Sequence, residues 1–272
     1  MDICQAVENS IIKKYRRTIW RPFIQALQAY QLVQDGDKIA VCISGGKDSM
    51  LLAKCLQELK RYSRTDFDLI FLTMDPGYSM ESRLTVERNA ALLRVPISIF
   101  ETDIFNTVAK YKKGACYLCA RMRRGHLYKK AREYGCNKIA LAHHYDDVIE
   151  TSLLSMFYGG EIKTMMPKLH SKNFPGMQLI RPLYLMREAS IIAWRNFHGL
   201  NFIRCACRMT QYGLPDHGGD SKRQEIKCLL QSLRLQNPLI EKNIFKSMEN
   251  VNVDAVLGYK HNHERHNFLE DY

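Results

Sequence analysis

A chain of 272 residues is long enough for one large α/β core with small appendages. Its 46% hydrophobic and 25% charged residues suit a soluble globular protein, and no apolar run approaches membrane-spanning length, which argues against a helical membrane protein. Forty Lys and Arg against 28 Asp and Glu give a net charge of +12, so a polyanionic partner is expected.

In chain order, residues 1–36 predict a basic amphipathic helix broken by Pro22, with Lys13, Lys14, Arg16, Arg17 and Arg21 on it and Tyr15 and Trp20 interleaved for base stacking. The start, Met1-Asp2-Ile3-Cys4-Gln5, lacks the basic-then-apolar layout of a secretory signal, so a cytoplasmic enzyme is expected. Nine cysteines in that setting fit metal binding or reactive sulfur better than a disulfide framework.

The run 38–43 reads as a buried strand and 49–62 as a helix. Between them, residues 44–49 read Ser-Gly-Gly-Lys-Asp-Ser. A small-residue turn there leaves backbone N–H groups free at a positive helix end, where phosphate oxygens can sit. Gly45 and Gly46 permit close approach, Ser44 and Ser49 offer hydroxyls, Lys47 offers a point charge, and Asp48 sits beside it. The spacing differs from G-x-x-x-x-G-K-[ST]. It is similar instead to the loop of the PP-loop ATP pyrophosphatases, which cleave ATP between its α and β phosphates, and the resemblance implies ATP as a ligand.

Further strands are expected at 68–74, 96–101 and 138–142, with helices at 80–94, 119–134 and 146–158 between or after them. This alternation predicts an α/β fold, a doubly wound parallel sheet with ligands at the carboxyl ends of its strands. Asp75, closing the second strand, is expected near adenine or ribose.

Cys116-Tyr117-Leu118-Cys119 stands at the entrance to a basic helix that carries Arg121, Arg123, Arg124, Lys129, Lys130 and Arg132. Two thiolates at that spacing can reach one metal. Cys205-Ala206-Cys207 supplies a third thiolate. On spacing alone a zinc site, closed by four thiolates, and a [4Fe–4S] cluster held by three, with one iron open, are both accommodated. Cys42 and Cys55 read as core residues, and Cys4, Cys136 and Cys228 have no partner at ligand spacing.

After the 138–142 strand come His143, His144, Tyr145, Asp146 and Asp147. Asp147 or Asp146 can hold Mg²⁺ against a triphosphate, and the histidines can bond phosphate or handle protons. The alternative reading of one of the two carboxylates is a helix cap. A short strand at 178–180 precedes Arg181, placed to neutralise departing pyrophosphate. Helices follow at 187–198, 220–235 and 238–250, and the tail with His261, His263 and His266 reads as a mobile polar terminus rather than a metal site.

Taken together, Val41–Ser49, Cys116–Gly125, Ile139–Asp147, Met156–Gly160, Met166–Leu169 and Ile180–Leu183 resemble the tRNA 2-thiocytidine synthetase family of PP-loop enzymes, over about Arg16 to Asn252. The resemblance implies the PP-loop (HUP-type) adenine-nucleotide fold, with an N-terminal helical segment at 1–36, an ATP-binding domain at 37–200, a cysteine loop and helical extension at 201–255 and a tail at 256–272. It implies a [4Fe–4S] cluster on Cys116, Cys119 and Cys205, with Cys207 as fallback because Cys-Ala-Cys departs from the family's Cys-x-x-Cys. It implies catalysis by Lys47, Asp48, Asp147 and Arg181 with ATP and Mg²⁺: adenylation of the C2 oxygen of a tRNA cytidine, position 32 in the family, then sulfur transfer. Partners implied are tRNA, a cysteine desulfurase as sulfur donor and a second copy of the chain. Alternatives are a lysidine-synthetase-like ligase that lacks the cluster and a non-catalytic RNA-binding iron–sulfur sensor.

Overall fold

The computed structural model describes residues 2–109, 115–203 and 219–270. Its main sheet runs β3-β2-β1-β4-β6-β5, from β1 (Asp37–Cys42), β2 (Phe67–Asp75), β3 (Ile97–Glu101), β4 (Lys138–Ala140), β5 (Lys168–His170) and β6 (Gln178–Ile180). All neighbours pair in parallel except β5, which runs antiparallel to β6 on the edge. The chain builds outward from β1 in one direction and resumes on its other side with β4. The crevice between the carboxyl ends of β1 and β4 is therefore the topological switch point, where open α/β sheets bind ligands.

Strand β1 is almost wholly buried, as expected of a central parallel strand covered on both faces. One face packs Ala40, Cys42, Leu72, Ile139 and Leu179 against Tyr128 and Ala131 of α6 (Ala115–Glu133). Also in this unit are α3 (Lys47–Tyr62), α4 (Met80–Leu92), a short α5 (Ile104–Ala109) absent from the sequence prediction, the start of α7 (Tyr145–Gly159) and α8 (Glu188–Phe197). At the amino edge, Lys138 Nζ lies 2.5 Å from Asp37 Oδ2, both buried, and also donates to the Leu32 carbonyl.

The N-terminal segment differs from the predicted single helix broken by Pro22. Helix α1 (Ile3–Ile12) is followed by a π turn at Arg16–Trp20 and then α2 (Arg21–Ala29). Pro22 lies in the first turn of α2, where its missing N–H would have no helical partner anyway. Buried Lys54 on α3 fixes α1 in place, donating to Glu8 at 2.6 Å and to the Leu93 carbonyl at 2.9 Å.

The chain divides into two compact units, Met1–Val148 with Met165–Lys222, and Ile149–Thr164 with Arg223–Tyr272. These bounds differ from the segments drawn from sequence: the N-terminal helices belong to the first unit. Within the second, buried Glu150 faces Arg223 and Lys227, each at 3.7 Å, and Arg234 pairs with Glu241 at the start of α10 (Ile240–Glu249), which follows α9 (Gly219–Gln236). The tail corrects an expectation. Expected only as a mobile polar terminus, it carries regular structure, a hairpin of β7 (Gly258–His261) and β8 (Glu264–Asn267), with Tyr259 stacked on His266. Asn262 and His263 both take positive φ, the conformation a two-residue hairpin turn requires.

Candidate active site

The 44–49 loop leaves β1 at the switch point and enters α3. Ser49 Oγ organises it, accepting from the Ser44 N–H at 3.2 Å and donating to the Gly46 carbonyl at 3.0 Å. Gly45 has φ +81°, and a Cβ there would fall 2.5 Å from Val86 and 2.8 Å from Ile203. Only glycine fits this position. Gly46 caps α3, whose first N–H groups face the crevice end of the loop.

Lys47 begins α3, its Nζ 3.1 Å from Asp48 Oδ2 and 2.9 Å from Glu188 Oε1. Burial disfavours its charge, but the two carboxylates outweigh burial and hold its pKa above the ordinary lysine value. Asp48 Oδ1 is buried with no hydrogen-bond partner among the described residues.

The two aspartates separate cleanly. Asp146 accepts from the Glu188 N–H at 2.7 Å and lies 3.2 Å from Arg187, which ties α7 to the start of α8. Asp147 accepts from the His144 N–H at 3.0 Å, a reach back across the first turn of α7, and also lines the cavity described next. His143 lines that cavity too, while His144 is buried with Nδ1 3.5 Å from Asp147.

A cavity of about 390 Å³ occupies the switch point, within the size range of small-molecule sites. The loop contributes Ser44, Asp48 and Ser49, β4's exit contributes His143, and α7 contributes Asp147. Its remaining wall includes Tyr78, Arg123 and Arg124. Tyr78 was missed from sequence, and the two arginines were read only as part of a basic helix. The available signal was helical spacing: Arg123 follows Cys119 by four residues, hence on the same face of α6. A larger hollow of about 760 Å³ lies elsewhere, against α1 and α3. There Lys54 pairs with Glu8 and Arg61 with Glu58, so its charges are already matched.

Asp75 does not line the cavity. Its Oδ1 accepts from the N–H groups of Gly77 at 2.8 Å and Tyr78 at 2.7 Å, and so shapes the loop that presents Tyr78. Arg181 is also outside the lining. It is buried, donates to the Met166 carbonyl, and keeps a buried Nε without partner among the described residues. Burial, and then the nearby Arg124 charge, push its pKa down to about 10.

Cys116 falls in the first turn of α6 and Cys119 opens the second, because the helix begins at Ala115 rather than at 119. Cys119 is half-buried against Met74, Ile104 and Val108, next to cavity-lining Ala120. Cys205 and Cys207 lie outside the described residues. Cys42 also lines the cavity, but burial, with Cys136 adding to it, pushes its thiol up to about 12.

Comparison with known proteins agrees with this architecture. The PP-loop domain family matches residues 18–208. The tRNA-cytidine(32) 2-sulfurtransferase of Aeromonas salmonicida is 35% identical over 93% of this chain and 80% of its own length. That of Aliivibrio fischeri is 37% identical over 89% and 76%. The U34-tRNA thiolase NcsA from Methanococcus maripaludis, solved with its [4Fe-4S] cluster, superposes with a TM-score of 0.67 at 19% identity, covering 89% of this chain and 80% of that one, a likeness of fold. A PP-loop hexapeptide at the switch point of this sheet, with collinear identity across most of the chain, shows that the protein belongs to the tRNA-cytidine(32) 2-sulfurtransferase family of PP-loop proteins.

Proposed function

We propose that the chain is an ATP-dependent tRNA sulfurtransferase acting on cytidine 32. The observation that carries this reading is one cavity walled by both the 44–49 loop and the α6 face that starts beside Cys119. ATP lies with its phosphates toward the N–H groups at the start of α3 and toward Lys47. The cytidine C2 oxygen attacks the α-phosphorus, the bond to pyrophosphate breaks, and Arg123 and Arg124 offset the charge that develops. Sulfur then replaces the activated oxygen at C2 and AMP leaves, since adenylation has made that oxygen a good leaving group.

Among the described residues no three His, Cys, Asp or Glu side chains converge to hold a metal. Mg²⁺ is assigned to Asp147, which lines the cavity, together with phosphate oxygens of ATP, the usual way this ion is shared between protein and nucleotide. His143, Asp48 and Ser49 complete the polar wall, and Arg181 supports it from behind.

Cys116 and Cys119, with Cys205 as third thiolate or Cys207 in its place, suit a [4Fe–4S] cluster, and the half-buried Cys119 on a basic helix fits a thiolate ligand. When bound, the cluster supplies an open iron on which sulfide is delivered as a soft nucleophile. A cysteine desulfurase as donor, a homodimer and a cytoplasmic setting complete the proposal; no helix among the described residues is long and apolar enough to cross a membrane.

Anaerobic purification with iron and sulfide analysis tests this reading. About four irons per chain are expected, lost or labile in Cys119→Ser. Zinc without iron would contradict it.

A further inference from the structure

Residues 9–34 contain five basic side chains and no acidic one. Lys13, Lys14, Arg16, Arg17 and Arg21 are all exposed, and among the described residues none is ion-paired. The π turn shapes this surface. The Arg21 N–H bonds the Arg16 carbonyl, five residues back, so the wider turn brings the two arginines nearer to one side of the segment than an α-helix would.

The surface is held firmly on the α/β unit. Tyr15 donates its hydroxyl to the Ala193 carbonyl at 3.1 Å, Ser10 and His198 meet at 2.7 Å, and the Lys54–Glu8 pair anchors α1. Lys14 Nζ sits 3.8 Å above the ring of Phe197, which is 55% exposed. Phe197 ends α8, and Glu188 at the other end of that helix holds Lys47 of the ATP loop. Ten helical residues span about 15 Å, so the basic surface lies roughly one helix length from the site of adenylation. That is too far for the reacting nucleotide and within reach of a stem continuous with it.

We propose that this surface binds the phosphate backbone of tRNA on a helical stem outside the reacting loop. The five cations supply sequence-independent affinity, and α8 sets the distance between stem contact and chemistry. The inference rests on the functional reading above and adds the surface by which the substrate is held.

The test is tRNA binding by the full chain across a salt series, for wild type and for Lys13→Ala/Arg16→Ala/Arg17→Ala, with ATP binding measured in parallel. The variant should bind tRNA at least tenfold more weakly, with the slope of log K against log salt flatter by about 2, while ATP binding holds. Wild-type tRNA affinity and slope in the variant would overturn the inference and leave the patch to an acidic protein partner. If the triple variant also loses ATP binding, the single exposed exchange Arg17→Gln decides: a slope flatter by about 0.7–0.9 supports the surface, and an unchanged slope overturns it. A wild-type chain that binds no tRNA would instead overturn the functional reading itself.

Discussion

Lys47 Nζ and Glu188 Oε1 stand 2.9 Å apart, joining the first residue of α3 to the first residue of α8 across the mouth of the ATP loop. The loop lysine is thus neutralised by Asp48 and Glu188. Triphosphate must take over that charge. Glu188→Gln removes one competitor and one repulsive carboxylate, so ATP should bind about three- to tenfold more tightly, a gain of up to roughly 1.4 kcal/mol. Equilibrium dialysis with ATP checks this, and weaker binding would show that Glu188 positions the lysine.

Gly45 allows a sharper expectation. Its φ of +81° and a Cβ position 2.5 Å from Val86 make Gly45→Ala strained on two counts. A cost of about 1–3 kcal/mol is expected in chemical denaturation, together with at least tenfold weaker ATP binding.

The neighbouring aspartates should part in function as they do in geometry. Asp147 lines the cavity, whereas Asp146 is engaged by the Glu188 N–H and Arg187. Asp147→Asn should lower turnover about 100-fold or more and raise the Mg²⁺ requirement. Asp146→Asn should lower thermal stability with a much smaller loss of rate. Steady-state kinetics over a Mg²⁺ series separates the two.

Thiol reactivity follows from burial. Cys42 is pushed up to about 12 and Cys136 to about 11, each chiefly by desolvation. Both stay protonated as pH rises to 8, where the Cys42 thiolate fraction is on the order of 10⁻⁴. Alkylation with mass-spectrometric mapping at pH 8 should therefore leave both unmodified in the native protein, although Cys42 lines the cavity. Labelling of Cys42 at the rate of a free thiol would contradict its buried environment.

The Lys138–Asp37 pair holds the amino edges of β4 and β1 together in the interior. Lys138→Met leaves a buried carboxylate without its partner, and about 3–5 kcal/mol of stability should be lost in denaturant titration.

Much of this was legible in the sequence because local and global signals agree. Apolar runs bounded by turns marked β1, β2, β3 and β6, and the Ser-Gly-Gly-Lys-Asp-Ser hexapeptide announced the phosphate turn between β1 and α3. What escaped was set by long-range contact. Edge strand β5 has only Lys168, Leu169 and His170, a single apolar residue between two polar ones, and so offers no apolar run to read. The tail hairpin turns on Asn262-His263, without the Asn-Gly that usually signals such a turn. The π turn adjoins α8, where the Tyr15 hydroxyl donates to the Ala193 carbonyl, a contact far away in sequence. In the site, Tyr78 and Glu188 carry no motif. They enter because Asp75 bends the loop after β2 and Asp146 seats the start of α8.

The most direct measurement is nucleoside analysis of tRNA after anaerobic incubation with the cluster-loaded chain, ATP, Mg²⁺ and a sulfide source, with AMP quantified in the same reaction. The account predicts 2-thiocytidine in tRNA and one AMP released for each thiolated nucleoside. AMP formation with no thiolated cytidine, or no ATP turnover with tRNA present, would contradict it.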